Sequence, residues 1–109
     1  MFKNIEYSQI INLKDSINYK EGQISSKTIT NSKDTNITLF SVAKNEEISD
    51  HTSTKDALLI VLDGKLKVII NKIEYLLKTD DSILMPANIV HSLHALEDFK
   101  ILLILNETN

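Results

Sequence analysis

Three histidines, His51, His91 and His94, are the residues of this chain best suited to chemistry. Imidazole is the commonest protein ligand for first-row transition metals, and it titrates near neutral pH, so it also serves as a proton carrier. His91 and His94 lie in the stretch Asp80 to His94, DDSILMPANIVHSLH, which also holds the only proline, Pro86. His51 lies well upstream, just before the apolar block ALLIVL (Ala57 to Leu62) that runs into Gly64. Side chains of a strand alternate between its two faces. If His51 points into a β-barrel, Ser53 does too; if His91 points in, Leu93 and Ala95 follow, and His94 points out unless a bulge intervenes. His51, His91 and Ser53 are therefore candidate ligand-binding residues, and His51 and His91 candidate metal ligands with His94 the lesser, against the plainer reading of each histidine as a hydrogen-bonded structural or surface residue. A divalent transition metal (Fe, Mn, Ni, Cu or Zn) is the cofactor such a pair would take. A mononuclear site normally draws three or four ligands from the protein, and neither Ser53 nor Ala57, the neighbouring inward positions, is a strong one.

Other chemistries are weaker. There is no cysteine, which excludes disulfides, thiolate catalysis and thiolate metal sites. The two glycines, Gly22 and Gly64, are too far apart for a phosphate-cradling loop. None of Ser8, Ser16, Ser25, Ser26, Ser32, Ser41, Ser49 and Ser53 lies in a Gly-flanked nucleophile elbow. Asp80-Asp81 forms a solvated turn, since adjacent strand residues diverge. The tyrosines and phenylalanines are scattered and form no base-stacking platform.

The elements that must position the histidines are strands. Gln23 to Thr30 is rich in β-branched residues, and Asn31 to Asp34 is turn-like. Asn36 to Ala43 alternates, with Ile37, Leu39 and Ser41 on one face and Thr38, Phe40 and Val42 on the other. Further strands are expected at Ile48 to Ser53, Ala57 to Leu62, Lys65 to Ile70, Ile73 to Leu77, Ile83 to Met85, Val90 to Leu96 and Phe99 to Leu105. Asp63-Gly64, between two strand-like runs, is the signal for a tight hairpin. Pro86 suits a strand end because it cannot donate to a ladder. Ile10, Leu13 and Ile17 are spaced for a turn or two of amphipathic helix, against which Asp15-Ser16 counts. About nine or ten short strands separated by turns make an all-β sandwich or barrel.

The totals agree. A chain of 109 residues, 42% hydrophobic and 25% charged, suits one soluble domain. A formal charge of −3 and no basic run argue against nucleic acid. The N-terminus lacks the long apolar stretch of a signal peptide and the apolar runs are too short to span a bilayer, so a cytoplasmic protein with no membrane partner is expected.

HTSTKDALLIVLDGKLKVII, ILMPANIVHSLHAL and FKILLIL together resemble the small single-domain cupins over Ile37 to Leu105, and EGQISSKTI resembles the first strands of that group. The first cupin motif is a glycine, five residues, H-x-H, three or four residues, a glutamate, six residues and a glycine. The second is a glycine, five residues, P-x-G, two residues, a histidine, three residues and an asparagine. His51 and Gly64 match the first; Pro86 and His91 match the second. Asn45, Ser53 and Ala57 replace the glycine, second histidine and glutamate of the first motif, and Asp80, Asn88 and Ala95 replace the glycines and asparagine of the second. Two of the family's four metal ligands thus remain.

The resemblance implies an antiparallel double-stranded β-helix, a jelly-roll barrel. One domain over residues 1–109 is expected, with the core barrel at 37–105 and N-terminal strands plus a short helix at 1–36. It also implies a ligand pocket in the barrel mouth and a homodimer, in which pairing between subunits covers an exposed N-terminal edge. The function expected is small-molecule binding with a reduced two-histidine metal site. The alternatives are a metal-dependent enzyme of the dioxygenase or isomerase type, using His51 and His91, and a purely structural role for the histidines.

Overall fold

The computed structural model describes residues 1–108. Among the described residues, nine strands form two antiparallel sheets. They are β1 (Ile24–Asn31), β2 (Thr35–Val42), β3 (Glu47–His51), β4 (Asp56–Asp63), β5 (Lys65–Ile70), β6 (Ile73–Lys78), β7 (Ser82–Met85), β8 (His91–Ala95) and β9 (Phe99–Asn106). One sheet runs β1-β2-β9-β4-β7, the other β3-β8-β5-β6. Strands from both ends of the chain interleave in each sheet, the topology of a jelly roll.

Alternation decides what fills the barrel. Val42, Leu59, Val61, Leu66, Val68, Leu77, Met85, Leu93, Phe99 and Ile101 form the buried interior, with Ala57, Ile70 and Ala95 among them. On β2 the expected two faces separate: Phe40 and Val42 join this interior, and Leu39 and Ile37 join a second apolar cluster. That cluster lies outside the five-stranded sheet, where Ile5, Leu13 and Ile17 pack over Ile29, Leu39, Leu62 and Leu102. Residues before β1 therefore lie on the back of the larger sheet.

Hydrogen bonds hold that segment down. Ser41 Oγ donates to the Asn18 carbonyl at 2.9 Å and Lys100 Nζ to the Lys14 carbonyl at 2.8 Å. Lys27 Nζ donates to the Ser16 carbonyl, and Tyr19 Oη to Asp63 Oδ2 at 2.6 Å. Burial and the Asp63 carboxylate raise the Tyr19 pKa well above its usual value, so the phenol stays a donor. The expected N-terminal helix is a single 3₁₀ turn, Leu13–Ser16, with Asn12 Oδ1 accepting from the Lys14 amide. Asn12 and Ser16 bond the local backbone, which favours a capped turn over a propagating helix. Ile10, spaced to share its face, is fully exposed.

The hairpin expected at Asp63-Gly64 does not form. β4 pairs with β7 and β9, whereas β5 pairs with β6 and β8. The Asp63-Gly64 turn is instead a corner at which the chain passes from one sheet to the other. Gly64 has φ +91°, and a Cβ there would lie 2.0 Å from the Asp98 carbonyl oxygen. The glycine is needed because the corner presses on the backbone of the β8–β9 corner. The tight two-residue hairpin is β5–β6, where Asn71 and Lys72 both have positive φ, as the twist of a two-residue turn demands.

Candidate functional site

The ladder between β3 and β8 places the two motif histidines face to face. His51 ends β3, His91 begins β8, and their Cα atoms are partners. The rings meet edge to face, with centroids 4.1 Å apart and planes at 73°. His91 is buried at 4% exposure; His51 is half-buried at the rim. Each ring is tied to its own strand in the same way. His51 Nδ1 lies 2.6 Å from the Ser49 carbonyl oxygen and His91 Nδ1 lies 3.2 Å from the Ile89 carbonyl oxygen. A carbonyl only accepts, so Nδ1 carries the proton and Nε2 of each ring is left with its lone pair. Burial lowers the His91 pKa, repulsion from His51 lowers it further, and the Ile89 carbonyl opposes both. At neutral pH His91 therefore offers an unprotonated Nε2 that can accept a hydrogen bond.

The loops around the pair are fixed by hydrogen bonds from backbone amides. The Ala87 amide donates to Asp56 Oδ1 at 2.8 Å, the Asn88 amide to the Ser53 carbonyl at 2.7 Å, and the Asn71 amide to the Val90 carbonyl at 3.0 Å. These bonds clamp the Pro86 to Val90 turn that delivers His91. Ser53 lies half-buried between β3 and β4, and its hydroxyl accepts from the Lys55 amide at 3.1 Å. Ala57 is buried at 3% exposure, paired with Met85 in the barrel wall.

The departures from the cupin motifs fall into two kinds. Asn45, Asp80 and Asn88 stand in the three substituted glycine places, and all have positive φ, at 72°, 76° and 64°. Asn and Asp are the non-glycine residues that tolerate the left-handed region best. These replacements keep the backbone path. Ser53, Ala57 and Ala95 differ in kind: they replace ligating or polar side chains with a hydroxyl and two methyls. Among the described residues, no group of three or more His, Cys, Asp or Glu side chains is placed to hold a metal ion. The motif positions thus supply at most two of the three or four protein ligands that a mononuclear site normally takes.

His94 stands on the outer face of β8. Its Nδ1 lies 2.9 Å from Glu47 Oε2, and its Nε2 lies 2.9 Å from Ser92 Oγ. Glu47 and Ser92 were not legible as site residues in the sequence. The signal for Ser92 is the S-x-H spacing, which puts both side chains on one face of a strand; nothing local marks Glu47, whose partner lies across the ladder.

The two antiparallel sheets define a small jelly-roll barrel, with His51 and His91 paired where β3 ends and β8 begins. Residues 38–105 match the cupin domain family, and the chain belongs to it. The chain is similar to a conserved protein of unknown function from Streptococcus pyogenes, at 32% identity and TM-score 0.95, over 99% of this chain and 95% of that one. It is also similar to a cupin superfamily protein from Desulfitobacterium hafniense, at 26% identity and TM-score 0.94, over 99% of both chains. A cupin 2 conserved barrel domain protein from Leptotrichia buccalis shares 36% identity at TM-score 0.87, over 89% of this chain and 47% of that one. No curated protein matches the chain. No helix among the described residues is long and apolar enough to cross a membrane.

Proposed function

We propose that this cupin binds a small molecule at the barrel mouth, with His51 and His91 as its polar anchors and Ser53 at the rim. The observation that carries this reading is the pairing of His51 and His91 across the β3–β8 ladder, each with Nδ1 held against a carbonyl of its own strand so that Nε2 is left to accept. A neutral His91 imidazole favours a ligand that donates hydrogen bonds, such as a protonated acid or a polyol.

The same lone pairs support a second reading, in which His51 and His91 hold a divalent transition metal. Such a metal would act as a Lewis acid, and ligand or solvent would complete its shell. The chain's own part is to orient both Nε2 atoms through the Ser49 and Ile89 carbonyls and to keep His91 neutral.

Elemental analysis of untagged protein after exposure to Fe, Mn, Ni, Cu and Zn, followed by desalting, separates the two. Near one metal per chain, lost in His51→Ala and in His91→Ala, supports the metal reading; retention in both variants removes it. In metal-free protein, a thermal-shift screen of small acids and sugars tests direct binding. Stabilisation that persists in the His51→Ala/His91→Ala double variant places the ligand elsewhere.

The partner proposed for the assembly is a second copy of the chain. In support, the back of β9, β4 and β7 bears Leu58, Ile60, Ile104 and Leu84, and Leu84 is 63% exposed. Light scattering on wild type and Leu84→Lys tests this: a monomeric wild type refutes it.

A further inference from the structure

The outward side of β8 carries a second set of reactive groups, back to back with the barrel-mouth pair. Successive strand residues face opposite ways, so His91 and Leu93 point in while Ser92 and His94 point out. Glu47 of β3 is the Cα partner of His94, and the two side chains meet at 2.9 Å between Oε2 and Nδ1. On its other side His94 Nε2 meets Ser92 Oγ at 2.9 Å. An ionised carboxylate only accepts, so Glu47 fixes the proton on Nδ1 and Nε2 becomes the acceptor. Ser92 Oγ must then donate to Nε2. A hydroxyl, an imidazole and a carboxylate are thus joined in order, each link within the reach that proton transfer to a base needs.

Three further features make this more than a cross-strand hydrogen bond. Ser92, His94 and Glu47 line a common cavity of about 320 Å³, completed by Ser49 and Asp50. Ser92 is only 2% exposed, so it sits on the cavity floor and is reached only from that side. The pairing of β3 with β8 slips between Ile48 and His51, a bulge that sets both Ser49 and Asp50 opposite Ser92. Bulges re-aim side chains beside functional sites. Here Ser49 stands in the cavity wall, and a serine hydroxyl is a neutral donor for an oxygen that gains charge.

We propose that Ser92, His94 and Glu47 form an acyl-transfer site for small carboxylic esters on the outer face of the four-stranded sheet. Ser92 Oγ attacks the ester carbonyl carbon and its proton passes to His94 Nε2. The Oγ–carbon bond forms, the carbon–oxygen bond to the alcohol breaks, and the alcohol leaves with the proton from Nε2. Water then attacks the acyl-Ser92 carbon, gives a proton to Nε2, and releases the acid as Ser92 Oγ recovers that proton. Ester and water are the only reactants. Ser92 and His94 are the catalytic residues; Glu47, which touches only His94, is a positioning residue. The buried floor admits short, unhindered acyl groups. Asp50 and Glu47 in the wall favour neutral or cationic esters over anionic ones.

The test is acylation of the full-length wild-type protein by p-nitrophenyl acetate, read as release of p-nitrophenolate and as the modified residue in a peptide mass map. The expected result is a burst approaching one equivalent per chain, with the acetyl group on Ser92 and none on Ser82, a serine exposed on β7. His94→Gln, which keeps much of the ring's size, lowers the acylation rate about 100-fold, as loss of a general base does. Glu47→Gln retains an acceptor for Nδ1 but no charge, and lowers kcat while leaving KM unchanged. The wild-type map needs no variant to fold. Acetyl groups spread over surface lysines with Ser92 unmodified overturn the proposal, as does a Ser92 acylation rate that His94→Gln leaves unchanged.

Discussion

Replacing Gly64 by alanine strikes the corner that separates the two sheets, where backbone packs directly on backbone. The new Cβ would lie 2.0 Å from the Asp98 carbonyl oxygen, 2.8 Å from Phe99 Cα and 2.9 Å from the Asp98 carbonyl carbon. All three are backbone atoms, so no side-chain rotation relieves the overlap. The β8–β9 corner must move, and Phe99, fully buried in the barrel, is anchored beside it. Forcing atoms into a packed interior costs about 1–3 kcal/mol. An L side chain at positive φ adds about 1–2 kcal/mol. Against this, alanine stiffens the unfolded chain and returns about 0.4–1 kcal/mol. The sum is a loss of about 3 kcal/mol, a large share of the roughly 5–15 kcal/mol that holds a domain together. Gly22→Ala is the internal control, since Gly22 also has positive φ, at 66°, but nothing lies within 4 Å of its would-be Cβ. It should lose only about 1 kcal/mol. Urea unfolding of both variants at pH 7.5 measures the difference, with the midpoint shifting at unchanged slope. If Gly64→Ala falls within about 0.5 kcal/mol of Gly22→Ala, the close approach is not what requires glycine, and the reasoning fails.

Two other substitutions probe the site and its frame. The His91 pKa is depressed in the folded state, so its contribution is fully present above the unfolded value of 6.5 and is lost as pH falls from there towards the folded pKa. Wild type should lose stability relative to His91→Gln over that window, with a limiting slope of about 1.4 kcal/mol per pH unit; parallel pH curves for the two proteins would contradict the assignment. Asn88 occupies a left-handed position, so Asn88→Gly should change stability by less than about 1 kcal/mol. Asn88→Val should cost more than about 2 kcal/mol by thermal unfolding, because a β-branched residue is a true outlier there. Equal melting temperatures for the two variants would show that the turn relaxes to another backbone.

The left-handed asparagines show how a motif can look degraded in the sequence and be intact in the backbone. Asn45, Asp80 and Asn88 each break the glycine pattern by letter and keep it by conformation. Ser53 and Ala57 break it in chemistry, because a hydroxyl and a methyl stand where a third and fourth ligand would. The sequence shows both kinds of change alike as substitutions; only the torsion angles separate them.

What the residues determined by themselves is local. Alternation marked the strands and told Leu39 from Phe40, and His51 and His91 from His94, because a strand has two faces and period two. The spacing of His51, Gly64, Pro86 and His91 carried the cupin family. What only the tertiary structure decided is which strand lies beside which. Asp63-Gly64 has the composition of a hairpin, yet its two strands enter different sheets, because β4 finds its partners in β7 and β9 far along the chain. The same non-local ladder sets His51 against His91 and Glu47 against His94. Face is written in neighbouring residues; partnership depends on closing the whole barrel, and no short stretch of sequence contains it.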